Sequence, residues 1–268
     1  MENGSPDKRP AIYKDLHARQ LDSEEASNRH SAHVILAILF EVFTPKSMLD
    51  VGCGLGTWIS VAREMGVGNV RGIDGVWLDK TRLRVPEELV QVCDLEKPFS
   101  LGRRYDLVSC LEVAEHLDGN AARDFVSCLC AHGDVLLFSA AIPFQGGHHH
   151  VNEQWPDYWR KLFQEQGYQP VDLVRERIWD DSSILWWLRQ NILLYVNDKA
   201  LGNNEILREL SRRTAPLSIV HPDVYMSRLQ SMQAVLEEHN RLISLLAGGG
   251  NFNVQKGPNG QITITRLS

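Results

Sequence analysis

Two short stretches, LEVAEHLD and GGHHHVNEQW, hold the side chains best suited to chemistry. If a helix begins in the first stretch, Glu112, Glu115 and His116 share one face, because residues three and four positions apart are neighbours on a helix. The second stretch contains three consecutive histidines, 148–150, with ordinary sequence on both sides. Imidazoles and carboxylates remove protons from hydroxyl groups, and they also bind divalent cations. The two stretches therefore predict either proton transfer or metal binding.

A glycine loop, LDVGCGLGTW, precedes these stretches. Gly52, Gly54 and Gly56 lie between a predicted strand and a predicted helix, where a backbone without side chains can approach a ligand closely. Their spacing differs from the dinucleotide fingerprint G-x-G-x-x-G, and the loop has no Lys-Ser/Thr pair for a phosphate P-loop. Asp50, in the strand itself, lies close to where an ammonium group of the ligand would be. The loop therefore predicts a nucleotide-like ligand that carries a positive charge.

Two more acids stand where the next apolar runs end. NVRGIDG ends in Asp74 and Gly75, and LVQVCDL ends in Asp94 and Leu95. A carboxylate at Asp74 can accept hydrogen bonds from both hydroxyls of a ribose, and one at Asp94 suits the amino group of an adenine. An adenosine with a sulfonium and an amino acid group, and with no phosphate, matches this acid-rich set.

The alternation of strands and helices should bring these residues together. Short apolar runs and helical segments alternate from MLDVG to DVLLFSAA, which predicts βαβ units in an α/β fold, with a mostly parallel sheet and helices on both faces. A helix over Glu24–Phe43 is expected before the first strand. After the fifth strand we expect a helix over Glu153–Gln166, a strand in VDLVRERIW and a final strand in NILLYVN.

The expected domain organisation has three parts: a flexible N-terminal arm over residues 1–22, a main domain over 23–200, and a C-terminal helix and hairpin over 201–268. The hairpin is expected to turn at Pro258-Asn259-Gly260. In the C-terminal helix, apolar residues recur in steps of four and three from Tyr225 to Leu246, which is a heptad stripe of about three repeats. This stripe fits either a helix packed on its own domain or a helix that joins two chains.

Composition excludes some classes of protein. The 268 residues are 43% hydrophobic, which is enough to bury a full core, and the net charge of −6 gives no basic surface for nucleic acid. No apolar run has the length of a membrane span, and the first residues have no hydrophobic signal core. The five cysteines are odd in number and fit reduced thiols, so we expect a cytoplasmic protein.

LDVGCGLGTW, GIDG, CDLEKPF and YDLVSCLEVAEHL, in this order and spacing, resemble the class I S-adenosylmethionine-dependent methyltransferases over residues 47–196. The resemblance implies a Rossmann-like sheet of seven strands, of which the last, NILLYVN, is antiparallel. It also implies that the cofactor S-adenosylmethionine contacts the loop glycines and the acids that follow. The residues expected to bind it are Asp50, Gly52, Gly54, Gly56, Asp74, Gly75, Asp94, Leu95 and Glu112.

The Glu-Val-x-Glu-His pattern resembles small-molecule O-methyltransferases such as those of ubiquinone biosynthesis. It also resembles small-RNA ribose 2′-O-methyltransferases, in which glutamates and histidines hold a divalent ion. HVNEQWPDYW, WLRQNILLYV and SIVHPDVY resemble methyltransferases of bacterial glycan and secondary-metabolite biosynthesis. We therefore expect an enzyme that methylates a hydroxyl of a small molecule, a sugar or a secondary metabolite, with O-transfer favoured over N- or C-transfer.

His116 and His150 are the residues expected to act in catalysis, because the histidine loop leaves the fifth strand at the same edge as His116. Alternatively, Glu112, Glu115, His116 and one histidine of the loop bind a divalent metal. A structural role for His116 and a solvated histidine loop are also compatible with the sequence, and solvation is favoured for His148 and His149.

Two other functions stay open. The acceptor could be a carboxylate or an RNA ribose, although the acidic composition argues against RNA. The protein could also bind the cofactor without catalysis, as a partner protein that assembles through its C-terminal helix, and the same helix could form a homodimer.

Overall fold

The short apolar runs form a seven-stranded sheet in a computed structural model, which describes residues 9–213, 215–247, 252–256 and 262–266. The strands are β1 (Ser47–Val51), β2 (Asn69–Asp74), β3 (Val90–Val92), β4 (Leu107–Leu111), β5 (Val135–Ser139), β6 (Tyr168–Val171) and β7 (Leu193–Asn197). Their order across the sheet is β3-β2-β1-β4-β5-β7-β6. Neighbours from β3 to β5 pair in parallel, and β7 is antiparallel to both β5 and β6. The predicted fold class and the antiparallel NILLYVN strand are confirmed.

Helices cover both faces of this sheet. They are α1 (Arg9–Val42), α2 (Thr57–Glu64), α3 (Ala122–His132), α4 (Pro156–Glu165), α5 (Arg175–Ile178), α6 (Trp186–Asn191), α7 (Asp198–Asn203) and α8 (Glu205–Leu210). Because neighbouring residues of a strand point to opposite faces, Met48 belongs to one apolar core and Leu49 to the other. All five residues of β1 and of β5 are buried, and most of them are apolar, as expected for strands covered on both faces.

In the sheet, β2 lies on one side of β1 and β4 lies on the other side. In open α/β sheets, such a reversal of strand order creates a crevice at the carboxyl ends of the two strands. The glycine loop follows β1, and the Glu-Val-x-Glu-His stretch follows β4. The sheet thus brings the two predicted groups of residues to the same crevice.

Two predicted elements differ from the structure. Helix α1 begins at Arg9, so most of the predicted arm over residues 1–22 is helical. This stretch is polar, and its apolar residues do not recur with helical periodicity, but it is rich in residues with high helix propensity. The predicted strand VDLVRERIW is also wrong: β6 ends at Val171, and Arg175–Ile178 is a helix.

The chain divides into two compact units, Met1–His221 and Pro222–Ser268, so α8 belongs to the first unit and not to a C-terminal segment that starts at residue 201. The second unit contains α9 (Pro222–Ala247) and an antiparallel pair, β8 (Phe252–Lys256) with β9 (Ile262–Arg266). The turn predicted at Pro258-Asn259-Gly260 lies outside the described residues. In the described part of the chain, no helix is both long enough and apolar enough to cross a membrane.

Arg175 links three segments of the first unit. Its side chain is 1% exposed and forms an ion pair with Asp172. Its Nη1 donates to the carbonyl oxygens of Gln190, at 3.2 Å, and Leu217, at 2.9 Å. A buried charge of this kind is stable only while each partner is present.

We expect Arg175→Met to lower the free energy of unfolding by about 3–5 kcal/mol, because the Asp172 carboxylate then stays largely buried without its cation. Urea titration followed by circular dichroism measures this loss. Arg177→Met is the matched control, since Arg177 pairs with Glu41 on the surface. Equal losses in the two variants would contradict the structural role of the buried pair.

Candidate functional site

The glycine loop is shaped by three residues with positive φ: Gly52 at 75°, Gly54 at 52° and Gly56 at 80°. A Cβ atom at Gly52 would lie 2.3 Å from Cγ2 of Val113, so only glycine lets the loop after β1 pack against the turn after β4. A Cβ atom at Gly54 would meet nothing within 4 Å. Gly54 thus presents a bare backbone to open space, where a ligand can approach it.

Asp74, at the end of β2, is bound to this loop. Its carboxylate accepts hydrogen bonds from the backbone N–H groups of Gly54, at 2.6 Å, and Gly75, at 2.7 Å. A Cβ atom at Gly75 would lie 2.3 Å from the ring of Trp77, which therefore packs directly on the glycine. Sequence reasoning missed Trp77, and its signal was an aromatic residue two positions after GIDG.

Asp94 and Leu95 lie farther along the same edge, after β3. Leu95 is buried, whereas the Asp94 side chain is half exposed and pairs with Lys97 at 2.8 Å. Asp94 also accepts a hydrogen bond from the backbone N–H of Glu96. The structure therefore places Asp94 at the surface.

A cavity of about 180 Å³ lies between the glycine loop, α1 and α6. Four predicted residues line it: Asp50, Gly52, Gly54 and Glu112. Sequence reasoning missed the others that carry polar or aromatic groups, which are Glu25, Asn28, Thr57, Trp58 and Trp187. Glu25 and Asn28 belong to α1, which packs on α2 through hydrogen bonds from Thr57 to Glu25 and from Trp58 to Asn28.

Asp50 is the buried acid of this cavity. The pKa of Asp50 is raised to about 7: burial is the main cause, the charge of Asp74 adds to it, and the hydrogen bond that Ser109 donates at 2.5 Å opposes it. An acid in this state is half protonated near neutral pH. A cation in the cavity would favour its ionised form.

Glu112 does not begin a helix. It has φ 54°, and its N–H donates to the carbonyl oxygen of Ser139 at 3.0 Å. Its carboxylate accepts hydrogen bonds from the side-chain amides of Gln145, at 3.0 Å, and Asn191, at 3.1 Å. Burial raises the pKa of Glu112, and these amide donors oppose the rise.

The predicted one-face helix is replaced by a short 3₁₀ turn, Ala114–His116. The Glu115 carboxylate is fully buried, and neither oxygen has a hydrogen-bond partner among the described residues. Burial, followed by the charge of Glu112, holds the pKa of Glu115 well above its usual range. Glu115 is therefore a buried acid that lacks a partner of good geometry.

His116 and His150 meet next to Glu115, with ring centroids 4.8 Å apart in an edge-to-face arrangement. One ligand atom from each of Glu115, His116 and His150 lies within 4.8 Å of the others. Glu112 is outside this group. The backbone N–H groups of Val151 and Asn152 both donate to the Glu115 carbonyl oxygen, so the histidine loop is fixed to the turn after β4.

Glu153 organises the histidine loop and was missed, because the sequence placed it at the start of a helix that begins only at Pro156. Its carboxylate accepts hydrogen bonds from the backbone N–H groups of Phe144 and Gly146, both at 2.7 Å. The Nδ1 atom of His150 lies 2.9 Å from the same carboxylate. A proton on Nδ1 leaves Nε2 of His150 as the acceptor nitrogen.

The family assignment follows from comparison with known proteins. A family model described as a methyltransferase domain matches residues 18–190, and the chain belongs to this family. No curated protein matches the chain.

Solved structures resemble this chain at low sequence identity. The magnesium protoporphyrin IX methyltransferase ChlM from Synechocystis PCC 6803, with bound SAM, is 18% identical and has a TM-score of 0.51; the match covers 74% of this chain and 100% of ChlM. DesVI from Streptomyces venezuelae is 15% identical, with a TM-score of 0.48 and the same coverage of 74% and 100%. The methyltransferase domain of bacterial CtHen1-C is 18% identical, with a TM-score of 0.47 and coverage of 64% of this chain and 98% of that one.

If Glu153 holds the loop, Glu153→Ala should speed hydrogen exchange at the amides of Phe144 and Gly146. The expected increase is about 10- to 100-fold, because a hydrogen bond to a charged group contributes about 1.5–3 kcal/mol. Exchange followed by mass spectrometry or NMR measures it. Glu165→Ala, which removes a surface pair with Arg123, is the control and should leave both amides unchanged. Unchanged exchange in Glu153→Ala would contradict this role.

Proposed function

We propose that the protein transfers a methyl group from S-adenosylmethionine to a hydroxyl of a small molecule, such as a sugar or a secondary metabolite. The observation that carries the proposal is the juxtaposition of His116 and His150 at the edge where the glycine loop and Asp50 line a cavity. In the proposal, these histidines supply a base and the cavity binds a cation, which together suit methyl transfer from a sulfonium to a hydroxyl. Transfer to oxygen is favoured because the base is needed to remove a hydroxyl proton.

The residues of the crevice fit S-adenosylmethionine. Gly54 offers a backbone with open space beside it, and the buried Asp50 carboxylate suits the ammonium of the amino acid group. The cavity of about 180 Å³ is smaller than the roughly 300–1,000 Å³ of typical ligand pockets, so it would hold only this end of the cofactor. In the proposal, Asp74 with Gly75 binds the ribose, and Asp94 with Leu95 binds the adenine. ChlM, which shares the fold, was crystallised with SAM.

When bound, S-adenosylmethionine supplies a methyl group whose bond to sulfur breaks, with its electron pair left on sulfur, as the acceptor oxygen bonds to the carbon. Nε2 of His150 takes the hydroxyl proton, and the Glu153 carboxylate, 2.9 Å from Nδ1, stabilises the resulting imidazolium. His116 packs against the His150 ring and limits its rotation. Glu112 lines the cofactor cavity and is held there by Asn191 and Gln145.

A separate observation supports a second mechanism, in which a divalent metal takes part. The buried Glu115 carboxylate without a hydrogen-bond partner, together with His116 and His150, forms a group of mixed oxygen and nitrogen ligands that fits a divalent metal. A bound cation would satisfy the Glu115 charge and acidify an acceptor hydroxyl.

Two alternative functions use a different methyl acceptor, and a third has no acceptor at all. A carboxylate acceptor needs no base, so a transfer that survives loss of His150 would favour it. An RNA ribose needs phosphate contacts, which the net charge of −6 opposes. A non-catalytic partner protein would bind the cofactor without transfer to any acceptor.

We expect His150→Ala to lower methyl transfer by about 10²- to 10⁴-fold, the usual contribution of a general base, while affinity for S-adenosylmethionine stays unchanged. Methyl transfer is measured with radiolabelled cofactor and a panel of nucleotide sugars, phenols, carboxylic acids and RNA. The affinity for S-adenosylmethionine is measured by calorimetry. His148→Ala is the matched control because His148 is exposed. Full activity in His150→Ala would remove the proposed base.

The same assay with metal-stripped protein and chelator separates the two mechanisms. Unchanged transfer supports His150 acting as a base without an ion, whereas transfer restored by added Mg²⁺ or Mn²⁺ supports the metal. Measurable cofactor binding without transfer to any acceptor of the panel would favour the partner protein.

Cofactor affinity should depend on Asp50. Because its pKa is raised to about 7, the ionised form that binds an ammonium becomes more populated as pH rises, and we expect about tenfold tighter binding at pH 7 than at pH 5.5. An ordinary α-amino group stays protonated over this range. Asp50→Asn should weaken binding and remove the trend. Calorimetry with Asp106→Asn as the control tests this, since Asp106 precedes β4 at the opposite edge of the sheet. A pH trend that persists in Asp50→Asn would assign it to another group.

The C-terminal helix is proposed to form a homodimer. Tyr225, Leu229, Met232, Leu236 and Ile243 follow the heptad spacing and are each at least 41% exposed. Such a stripe is the seam of a two-chain coiled coil. We expect light scattering to give a dimer at micromolar concentration and Leu236→Asp to give a monomer, with the exposed Gln233→Asp as the control. A monomeric wild-type protein would contradict this.

A further inference from the structure

The loop between β5 and α4, which contains His150, exposes three large apolar side chains. Phe144 is 87% exposed, Val151 is 67% exposed and Trp155 is 41% exposed. Single exposed apolar residues are common on protein surfaces, but three in one loop form a candidate binding surface. These residues have no role in the transfer chemistry described above.

Phe144 is held in an unfavourable backbone conformation. Its φ of 65° is rare for a bulky residue without glycine's freedom. The Glu153 carboxylate accepts the N–H of Phe144 and also contacts His150, so one group holds the exposed ring beside the proposed base. Strain that is kept at an exposed position, where packing does not require it, is typical of ligand-contacting residues.

The charge of this loop bears on the class of acceptor. No Lys or Arg occurs in the sequence between Arg123 and Arg160. Of the nearby acids, Glu115 is buried, and Glu153 is bound to His150 and to the backbone N–H groups of Phe144 and Gly146. A phosphate would therefore find no Lys or Arg on residues 124–159 to pair with, whereas a neutral ring would meet the apolar side chains of the loop.

We infer that residues 143–155 bind a neutral aromatic hydroxyl compound, whose ring packs against Phe144 and Trp155 and whose hydroxyl faces His150. The inference rests on the proposed function and narrows its acceptor to phenol-type molecules. Nucleotide sugars and RNA are disfavoured because both carry phosphates. Aromatic side chains suit such a ligand because their faces supply contact area with few rotatable bonds.

The test uses two probes that differ by one charge-bearing group: 2-naphthol and 2-naphthyl phosphate. Binding to the full-length protein saturated with S-adenosylhomocysteine is measured by calorimetry. We expect 2-naphthol to bind at least about tenfold more tightly than its phosphate, and Phe144→Gly and Trp155→Ala each to weaken 2-naphthol at least about tenfold. Ile206→Ala, which removes an exposed apolar side chain on α8, is the matched control and should have no effect.

Phe144→Gly separates binding from folding. Because glycine adopts positive φ without steric cost, this variant should melt at or above the temperature of the wild-type protein while its affinity for 2-naphthol falls. A variant that loses affinity and stability together would point to a structural role for Phe144 and overturn the inference.

Other results would also overturn it: no binding of 2-naphthol to the wild-type protein, tighter binding of the phosphate, or equal effects of Phe144→Gly and Ile206→Ala. Methyl transfer to a nucleotide sugar but to no phenol would overturn this inference and leave the proposed function intact. Absence of cofactor binding would overturn the proposed function, whereas 2-naphthol binding would still report on this surface.

Discussion

Both faces of the sheet are buried at the inner strands β1 and β5, and this limits where polar side chains can lie. The five residues of β1 and of β5 are all buried, so functional groups on these strands must come from their ends. Parallel strands end at the same edge, and the reversal of strand order between β1 and β4 opens a crevice there. Asp50 is the exception within a strand, and its pKa of about 7 shows the electrostatic cost of placing a carboxyl group inside the sheet.

The crevice concentrates acids that the fold does not neutralise. Asp50, Glu112 and Glu115 all have a raised pKa with burial as the main cause, and Glu115 has no hydrogen-bond partner among the described residues. A buried acid without a partner, such as Glu115, destabilises a folded protein. Acids with perturbed pKa values cluster at functional sites, and these three lie at one edge of the sheet.

Backbone hydrogen bonds connect the two functional stretches. The Glu115 carbonyl oxygen accepts the N–H groups of Val151 and Asn152, which fixes the histidine loop to the turn after β4. Glu153 then sets the shape of the loop through Phe144, Gly146 and His150. His150 is therefore held in position, although it lies in a connection between elements.

The sequence by itself determined the sheet and the location of its crevice. Apolar runs of strand length, glycines after the first run and acids after the next two depend on local spacing, and local spacing is visible in the chain. It also predicted that His116 and His150 lie at the same edge, because that follows from strand order alone.

Only the tertiary structure decided how the side chains at this edge are used. Glu112 was predicted to share a helical face with Glu115, but its backbone has positive φ and its carboxylate binds Gln145 and Asn191, the latter far along the chain. Glu25 and Asn28 reach the cavity because α1 packs on α2. Contacts between residues distant in sequence depend on how helices pack on the sheet, and no local pattern encodes that packing.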